Sequence, residues 1–281
     1  MDDYGQALES LSIAVPRGKN PLTGEAIFPG NQEFPYNPTE PYRAVLNTSE
    51  YFYKDEDESE IYFVDRAIQA RSEEITGTSA QDVFTIRDNA FGDLATKFLL
   101  SHQLTYYDGA PYVGLPFGQM GSNGLPVRSE SLVVTPAELN AIYGSQIPPA
   151  FSGSAAPDWN AYPAAFVNDL PDPRLGYAWH DGTGHHMEGY YATGDKLKYD
   201  VQEPAAPDTG MVVAMRNVYN DESQITYDTY HLLPVQVTDP AGMQVQAEND
   251  YRLLAPWKMT DPNENVTKVA FNALGLVSKM A

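Results

Sequence analysis

Apolar residues occur along this chain in short runs that are separated by Gly, Pro, Asn and Asp. Residues 61–64, 113–115 and 211–215 are examples of such runs. This spacing is typical of many short β-strands, whereas the longer periodicity of amphipathic helices is nearly absent. The pattern therefore predicts a mainly β protein, in which antiparallel hairpins form a curved sheet accompanied by one or two short helices.

The clearest helix signal begins at Thr135. Its hydroxyl can cap the first turn, Pro136 suits the first helical position, and Glu138 stands where a capping box requires it. Gly144 can end the helix after about two turns. We expect one short helix here.

Four other segments are less clear. Residues 161–168 form a weaker helix candidate, and residues 87–102 suit either a helix or a strand, of which we favour a strand at the end and leave the start open. The charged run 54–60 indicates a solvated loop, because like charges repel one another and seek water. Residues 145–176 are rich in Pro, Ala and Ser, which is typical of a linker. We therefore expect an irregular β region at 1–144, an excursion at 145–176 and hairpin repeats at 177–281.

The last third of the chain repeats itself. The sequence TYDTYHLL at 226–233 recurs in similar form as ENDYRLL at 248–254, and a more distant copy lies at 270–277. The sequence VTDP at 237–240 recurs as MTDP at 259–262, a step of 22 residues. A period near twenty suits two strands with two turns, so each unit predicts a β-hairpin.

Turn chemistry supports the hairpin interpretation, because Asp bonds to the backbone ahead of it and Pro presets its own φ. The Tyr-Asp and Leu-Leu elements are expected to begin and fill the strand that follows each turn. A single hairpin cannot bury its apolar face, so the units must pair edge to edge in one sheet, with residues 238–240 and 260–262 on the same edge. The residues expected to act as turn formers and strand packers are Tyr227, Asp228, Tyr230, Leu232, Asp239, Pro240, Gly242, Tyr251, Leu253, Asp261, Pro262, Leu274 and Gly275.

Charge and composition exclude several functions. The chain has 38 acidic and 17 basic residues, a net charge of −21, which repels nucleic acid and anionic membranes. No apolar stretch approaches the roughly 18 residues that a membrane span needs. The absence of cysteine excludes disulfides, a thiol nucleophile and thiolate metal sites. The first residues show no features of a secretory signal.

The densest polar cluster lies at residues 179–188. A metal site there would use His180, His185, His186 and one carboxylate, because imidazole is a common ligand. The spacing disfavours it, since adjacent His185 and His186 would face opposite sides of a strand. We favour a Gly-rich turn with a hairpin on either side, and we expect no cofactor and no metal.

Two other functions remain open. A carbohydrate-active enzyme would need two carboxylates at a defined separation, which 38 acidic residues could supply by chance. A carbohydrate- or receptor-binding module would need exposed aromatic rings, although strand packing is the favoured role for these tyrosines. The candidates are Tyr106, Tyr107, Tyr112, Tyr190, Tyr191, Tyr199, Tyr227, Tyr230 and Tyr251.

In the repeats at 226–277 the sequence resembles the Rhs/YD-repeat family, and residues 3–8 (DYGQAL) look like one more repeat unit. The order of LTYYDG at 104–109, GLPFGQ at 114–119, GLPVRSE at 124–130 and LNAIYG at 139–144 is similar to the middle region of the B component of insecticidal toxin complexes, which carry an SpvB-like part.

The resemblance implies a structural role. In that family the B and C components form a hollow β-shell that encloses a cytotoxic segment and docks through a propeller onto the pore-forming A component. We therefore expect a non-enzymatic shell segment in a secreted or host-directed virulence complex, with the C component or the remaining Rhs shell as partner. No propeller, SpvB-like part or self-cleavage motif is visible, and Phe271-Asn272 replaces Tyr-Asp. We expect a fragment or a reduced relative.

Overall fold

The computed structural model contains two antiparallel β-sheets, one of seven strands and one of eight, which confirms the predicted fold class. The charged segment 55–60, most of the excursion at 145–176 and most of the second helix candidate lie outside the described residues. The described residues are 1–27, 37, 40–54, 61–78, 81–148, 151, 163–165, 177–203 and 208–281.

The first sheet has the strand order β1-β2-β3-β4-β5-β7-β6, so all but its last two strands follow the chain. All neighbouring strands are antiparallel. The strands are β1 (Glu9–Ala14), β2 (Arg43–Lys54), β3 (Phe63–Ile75), β4 (Lys97–Tyr107), β5 (Pro126–Val134), β6 (Tyr177–Asp181) and β7 (Glu188–Thr193).

Helix α1 (Val83–Phe91) supplies the main hydrophobic core of this sheet. Asp82 caps the helix by accepting the backbone N–H groups of Phe84 and Thr85. Its buried residues pack with the strands in a cluster formed by Tyr42, Ala44, Leu46, Ile75, Ile86 and Ala90. The ambiguous segment 87–102 therefore divides: its start belongs to α1 and its end to β4, as predicted for the end.

Helix α2 (Pro136–Tyr143) confirms the capping prediction. The backbone N–H of Glu138 donates to the Thr135 hydroxyl at 3.2 Å, and the Thr135 N–H donates to the Glu138 carboxylate at 2.8 Å. Gly144 follows the helix with a φ of +54°, which glycine adopts without a Cβ clash.

The second sheet has the strand order β15-β14-β13-β12-β11-β10-β9-β8, an uninterrupted meander. This confirms that the repeats form consecutive antiparallel strands. The sequence placed the start of the repeats at residue 177, whereas in the structure β6 and β7 extend the first sheet. The repeat strip, by which we mean the strands β8 to β15 and their turns, therefore begins at β8. The strands are β8 (Lys196–Tyr199), β9 (Val212–Arg216), β10 (Glu222–Tyr227), β11 (Pro234–Thr238), β12 (Gln244–Asp250), β13 (Ala255–Thr260), β14 (Val266–Phe271) and β15 (Val277–Met280).

The two sheets meet where β8 approaches the first half of β5. The Gly194 N–H donates to the Ser129 carbonyl at 2.9 Å, and the Tyr199 hydroxyl donates to the Pro126 carbonyl at 2.7 Å. Strand β5 therefore has β7 beside its second half and β8 beside its first half. Among the described residues, neither helix has the length and apolar character that crossing a bilayer requires.

Candidate functional site

The six turns that connect β9 to β15 share one construction that recurs every 11 residues. In each turn, the side-chain Oδ1 of the first residue accepts the backbone N–H of the residue two positions later. This is an Asx turn, for which the side chains of Asp and Asn are best suited. The first residues are Asn217, Asp228, Asp239, Asp250, Asp261 and Asn272.

A second hydrogen bond and a positive φ complete most of these turns. In every turn except the one at Asp250, Oδ1 also accepts the N–H of the residue four positions later. The residue three positions later then has a positive φ, and glycine holds this position at Gly242 and Gly275. The structural unit is therefore one strand plus one turn, and the 22-residue period in the sequence contains two such units.

The Tyr-Asp and Leu-Leu elements do not begin and fill a strand, and in this respect the sequence prediction was wrong. Strand β10 ends at Tyr227 and β11 begins at Pro234, so Leu232 lies in the turn between them. The physical reason is that Asp228 Oδ1 accepts the N–H groups of Tyr230 and Leu232 and so reverses the chain. Leu253 and Leu276 occupy the equivalent turns on the same sheet edge.

Neighbouring turns on that edge are bonded to each other. The Tyr251 hydroxyl donates to Asp228 Oδ2 at 2.7 Å, and the Tyr230 and Tyr251 rings pack perpendicular with centroids 5.5 Å apart. The Leu232 N–H lowers the pKa of the Asp228 carboxyl, and the Tyr251 hydroxyl lowers it further. The next turn on this edge is also in close contact with its neighbour: a Cβ at Gly275 would lie 2.9 Å from Leu253 Cδ2.

The opposite edge carries the Asp-Pro turns. Asp239 and Asp261 each open a turn there, and Pro240 and Pro262 follow in the position where a preset φ suits the reversal. Both turns lie on the same edge, as the sequence predicted. Leu274 lies in the turn at Asn272 on the other edge and is 83% exposed, so it extends from the sheet into solvent.

Tyrosines of the chain's Tyr-Asp dipeptides anchor the strands that carry them. Each hydroxyl donates to a backbone carbonyl elsewhere: Tyr107 to Ala67 at 2.8 Å, Tyr199 to Pro126 at 2.7 Å and Tyr227 to Val212 at 3.0 Å. These bonds link the end of one strand to an earlier one.

The aspartates of the same dipeptides are buried and organise the loop that follows. Asp108 accepts the N–H groups of Gly121, Gly124 and Leu125. Asp200 is 3% exposed. Burial acts to raise the pKa of Asp200, but hydrogen bonds from Thr209 and from backbone N–H groups lower it overall. Asp228 plays the same part in the repeat strip.

The amino-terminal unit reproduces this construction around Asp2. Asp2 Oδ1 accepts the N–H groups of Tyr4 and Gln6, and Gly5 has a φ of +85°. The Tyr53 hydroxyl donates to Asp2 Oδ2, as the Tyr251 hydroxyl donates to Asp228 Oδ2, but the Tyr53 ring stacks on Tyr4 whereas the Tyr251 ring is perpendicular to Tyr230. The turn former is therefore Asp2, one position before the Asp3-Tyr4 pair on which the resemblance was based.

A cluster of histidines lies where the β6–β7 hairpin pairs with β5. His180 is on β6, and His185 and His186 are in the Gly-rich turn at 182–187 between β6 and β7. A Gly-rich turn is present as predicted, but it closes the single hairpin formed by β6 and β7 and does not lie between two hairpins. The expectation that His185 and His186 face opposite sides of a strand was wrong, because the turn brings their ring centroids to 4.7 Å from each other.

Glu130 of β5 anchors this cluster. Its Oε2 lies 2.7 Å from His186 Nε2 and accepts the Tyr106 hydroxyl at 2.9 Å, and Arg128 pairs with its other oxygen. Burial acts to raise the pKa of Glu130, but the bonds from His186 and Arg128 lower it overall. His180 stacks on His186 with ring centroids 3.5 Å apart and planes 8° from parallel.

His102 of β4 lies behind the cluster and is 1% exposed. Its Nδ1 is 2.5 Å from the Tyr191 hydroxyl, and its Nε2 is 2.7 Å from the Gln69 amide nitrogen. Burial, followed by the charges of His186, Arg71 and His185, lowers the pKa of His102 to about 4. This histidine is therefore neutral at physiological pH.

Sequence reasoning found the histidines at 180, 185 and 186 but missed Glu130 and His102. Nothing in their spacing could reveal them, because Glu130 is 56 positions from His186 and reaches it only through strand pairing. Several of the tyrosines considered as a sugar-binding surface are buried, so their rings are not exposed for stacking on a sugar. The buried ones are Tyr106, Tyr107, Tyr190, Tyr191 and Tyr199.

Solved structures of Tc toxin complexes share this fold. The Tc holotoxin pore of Photorhabdus luminescens matches with a TM-score of 0.68 and 18% identity over 99% of this chain and 12% of that chain. The TcdB2–TccC3–Cdc42 complex matches with a TM-score of 0.67 and 19% identity over 100% of this chain and 13% of that one. TcdB2–TccC3 without its hypervariable C-terminal region gives a TM-score of 0.67 and 18% identity over the same shares.

The chain thus spans about an eighth of the length of these structures. No protein-family model and no curated protein matches it. At this identity the likeness defines the class of fold, which is the antiparallel β architecture of Tc toxin complexes.

Proposed function

We propose that this chain is a non-enzymatic wall segment of an Rhs-type shell that encloses a cytotoxic payload in an insecticidal toxin complex of the SpvB-containing kind. The observation that carries the proposal is the meander of β8 to β15, in which each strand pairs only with its neighbours in the sheet and the six turns from β9 to β15 repeat the same Asx construction. Such a strip grows by adding strands at its outer edge, as a wall does. Similarity to the Tc toxin structures supports this role.

The two faces of the strip differ in character. Ile225 pairs with Val237, which pairs with Val245, in one apolar row across three strands. On the other face Glu248 pairs with Lys258, which pairs with Lys268. A sheet with one apolar and one charged face suits a wall between two different environments.

The carboxyl groups support a structural role over carbohydrate cleavage. A glycosidase general acid requires a carboxyl whose pKa is raised. In the described parts of the chain, each carboxyl whose pKa departs clearly from its ordinary value is lowered, as at Glu130, Asp200 and Asp228. These groups bind backbone N–H groups or neighbouring side chains.

The partner in this proposal adds a strand to an outer edge. Along β15, residues whose backbone N–H and C=O groups bond to β14 alternate with residues whose backbone groups point away from β14. Ala281 exchanges bonds with Lys268, and Met280 is the neighbouring, non-bonded position opposite Val269. The Met280 N–H is therefore available to a further strand, which we assign to the C component or the remaining Rhs shell of a secreted, host-directed complex.

The test is co-expression of this chain with a candidate C component, chosen as an Rhs-type polypeptide from the genome that encodes this chain. Purification through a tag on this chain should yield both polypeptides, and negative-stain electron microscopy should show a hollow particle. Met280→Pro removes the outward N–H while keeping the bonds to β14, so it should abolish the particle and leave the circular dichroism of the chain unchanged. Recovery of the chain without the other polypeptide, or closed particles with Met280→Pro, would contradict the proposal.

A further inference from the structure

We propose that Glu130, His180 and His186 form a binding site for one divalent transition-metal ion, with Zn²⁺ as the preferred ion. The ligand atoms of these three residues all lie within 4.8 Å of one another. They come from β5, from β6 and from the turn at 182–187, so the fold gathers them from three different segments. The proposal is independent of the shell function.

The distances require only side-chain movement. In a tetrahedral zinc site with bonds of about 2.1 Å, the ligand atoms are roughly 3.4 Å apart. His186 Nε2 and Glu130 Oε2 are at 2.7 Å, so the ion would enter between two groups that are now hydrogen-bonded. The parallel rings of His180 and His186 must rotate out of their stack, because a metal lies in the plane of each imidazole it binds.

The surroundings of Glu130 fit a metal ligand. The Tyr106 hydroxyl and the Arg128 guanidinium hold the carboxylate in place, in the way that outer partners orient the ligands of known metal sites. Glu130 and His186 have side chains only 15% and 9% exposed, which limits competition from water. His180 is less buried, so the ion and a water ligand can enter from its side.

The donor set selects the class of ion. Two imidazoles and one carboxylate suit Zn²⁺ and related transition metals, whereas Ca²⁺ and Mg²⁺ require mostly oxygen ligands. Arg128 offsets the charge of Glu130 and so weakens the attraction for hard cations further.

A bound ion would pin an edge strand. In the first sheet β6 is the outer strand and β7 lies between it and β5. Coordination by His180 and Glu130 would join β6 to β5 directly across β7, and His186 would fix the Gly-rich turn. The expected effect is therefore a gain in stability of this end of the sheet.

The test is calorimetric titration of the full chain with ZnCl₂ in excess MgCl₂, which occupies the general acidic surface. One saturable zinc site is expected, and His180→Ala and Glu130→Gln should each weaken it at least tenfold. His185→Ala and His231→Ala are matched controls that should leave it unchanged, because His185 is adjacent in sequence but outside the ligand group and His231 lies in a turn of the other sheet.

A second measurement does not depend on whether variants fold. Co²⁺ added to the unaltered chain should give the intense visible absorption of four-coordinate cobalt with nitrogen and oxygen ligands, and one equivalent of Zn²⁺ should remove it. Zinc binding that persists in His180→Ala, the weak spectrum of six-coordinate cobalt, or no saturable binding in excess Mg²⁺ would each overturn the proposal.

Discussion

The Tyr251 hydroxyl donates to Asp228 Oδ2 at 2.7 Å, and so two residues that are 23 positions apart join neighbouring turns of the same sheet edge. Asp228 uses its other oxygen to close its own turn, through the N–H groups of Tyr230 and Leu232. One carboxylate thus shapes a turn and bonds it to the next turn on the same sheet edge. The pairing of Tyr53 with Asp2 repeats this relationship in the first sheet.

Tyr251→Phe should lower the stability of the chain at neutral pH, because Asp228 Oδ2 loses its hydroxyl donor. The bond lowers the pKa of Asp228 in the folded state, so its contribution is present above the unfolded pKa and is lost as the pH falls. Urea unfolding at neutral and acid pH measures this difference. Tyr219→Phe, at an exposed tyrosine in another turn, is the control, and an equal loss in both variants would contradict the assignment.

Asp239→Asn should preserve the repeat turn, whereas Asp239→Ala should destabilise the chain by about 1 kcal/mol. The amide oxygen of Asn can accept the same N–H groups, as Asn217 and Asn272 do at equivalent positions. Ala leaves the N–H groups of Ala241 and Met243 without this acceptor. Chemical denaturation of both variants checks the order, and equal losses would show that charge matters more than the Asx geometry.

Gly242→Glu should destabilise the chain, whereas Glu264→Gly should not. Both residues hold the fourth turn position, with φ values of +83° and +64°. A side chain in this conformation costs about 1 to 2 kcal/mol, so Gly242→Glu should be destabilising by that order. Glu264→Gly relieves the same strain, partly offset by the greater freedom of glycine in the unfolded chain, and should be neutral or slightly stabilising. Thermal unfolding of the two variants measures these changes, and destabilisation by Glu264→Gly would contradict the prediction that Glu264 is strained.

His102 should make the chain lose stability on mild acidification. Its pKa is about 4 in the folded protein and 6.5 in the reference state, because burial and the charges of His186, Arg71 and His185 oppose protonation. The unfolded state therefore binds more protons as the pH falls from 6.5 towards 4, and folding loses up to about 3 kcal/mol over this range. Gln69 and Tyr191 bond the neutral ring.

The measurement is urea unfolding between pH 7 and pH 4 in the presence of a chelator. His102→Gln should flatten the profile relative to the unaltered chain, since the carboxyl groups contribute equally to both. His231→Ala is the matched control and should keep the slope. A slope that is the same in His102→Gln and the unaltered chain would contradict the pKa shift.

Much of the repeat strip could be read from the sequence, because its contacts are local. The Asp-Pro pairs at 239 and 261 mark turns through bonds to residues two and four positions away, so a short window contains the whole interaction. The 22-residue period followed from the same landmarks. The shorter 11-residue unit was missed although Asp228, Asp239, Asp250 and Asp261 are spaced by eleven, because the residues between them differ from one unit to the next.

By itself the sequence determined the class of fold, helix α2 and the meander of short strands, since hydrophobic alternation, caps and turns act between residues close in the chain. Only the tertiary structure decided that β6 and β7 join the first sheet, that Tyr251 bonds Asp228, and that Glu130 meets His180 and His186. These contacts depend on which strands lie side by side. The pairing of strands that are distant in the chain is set by the burial of the whole sheet, and no local pattern of residues encodes it.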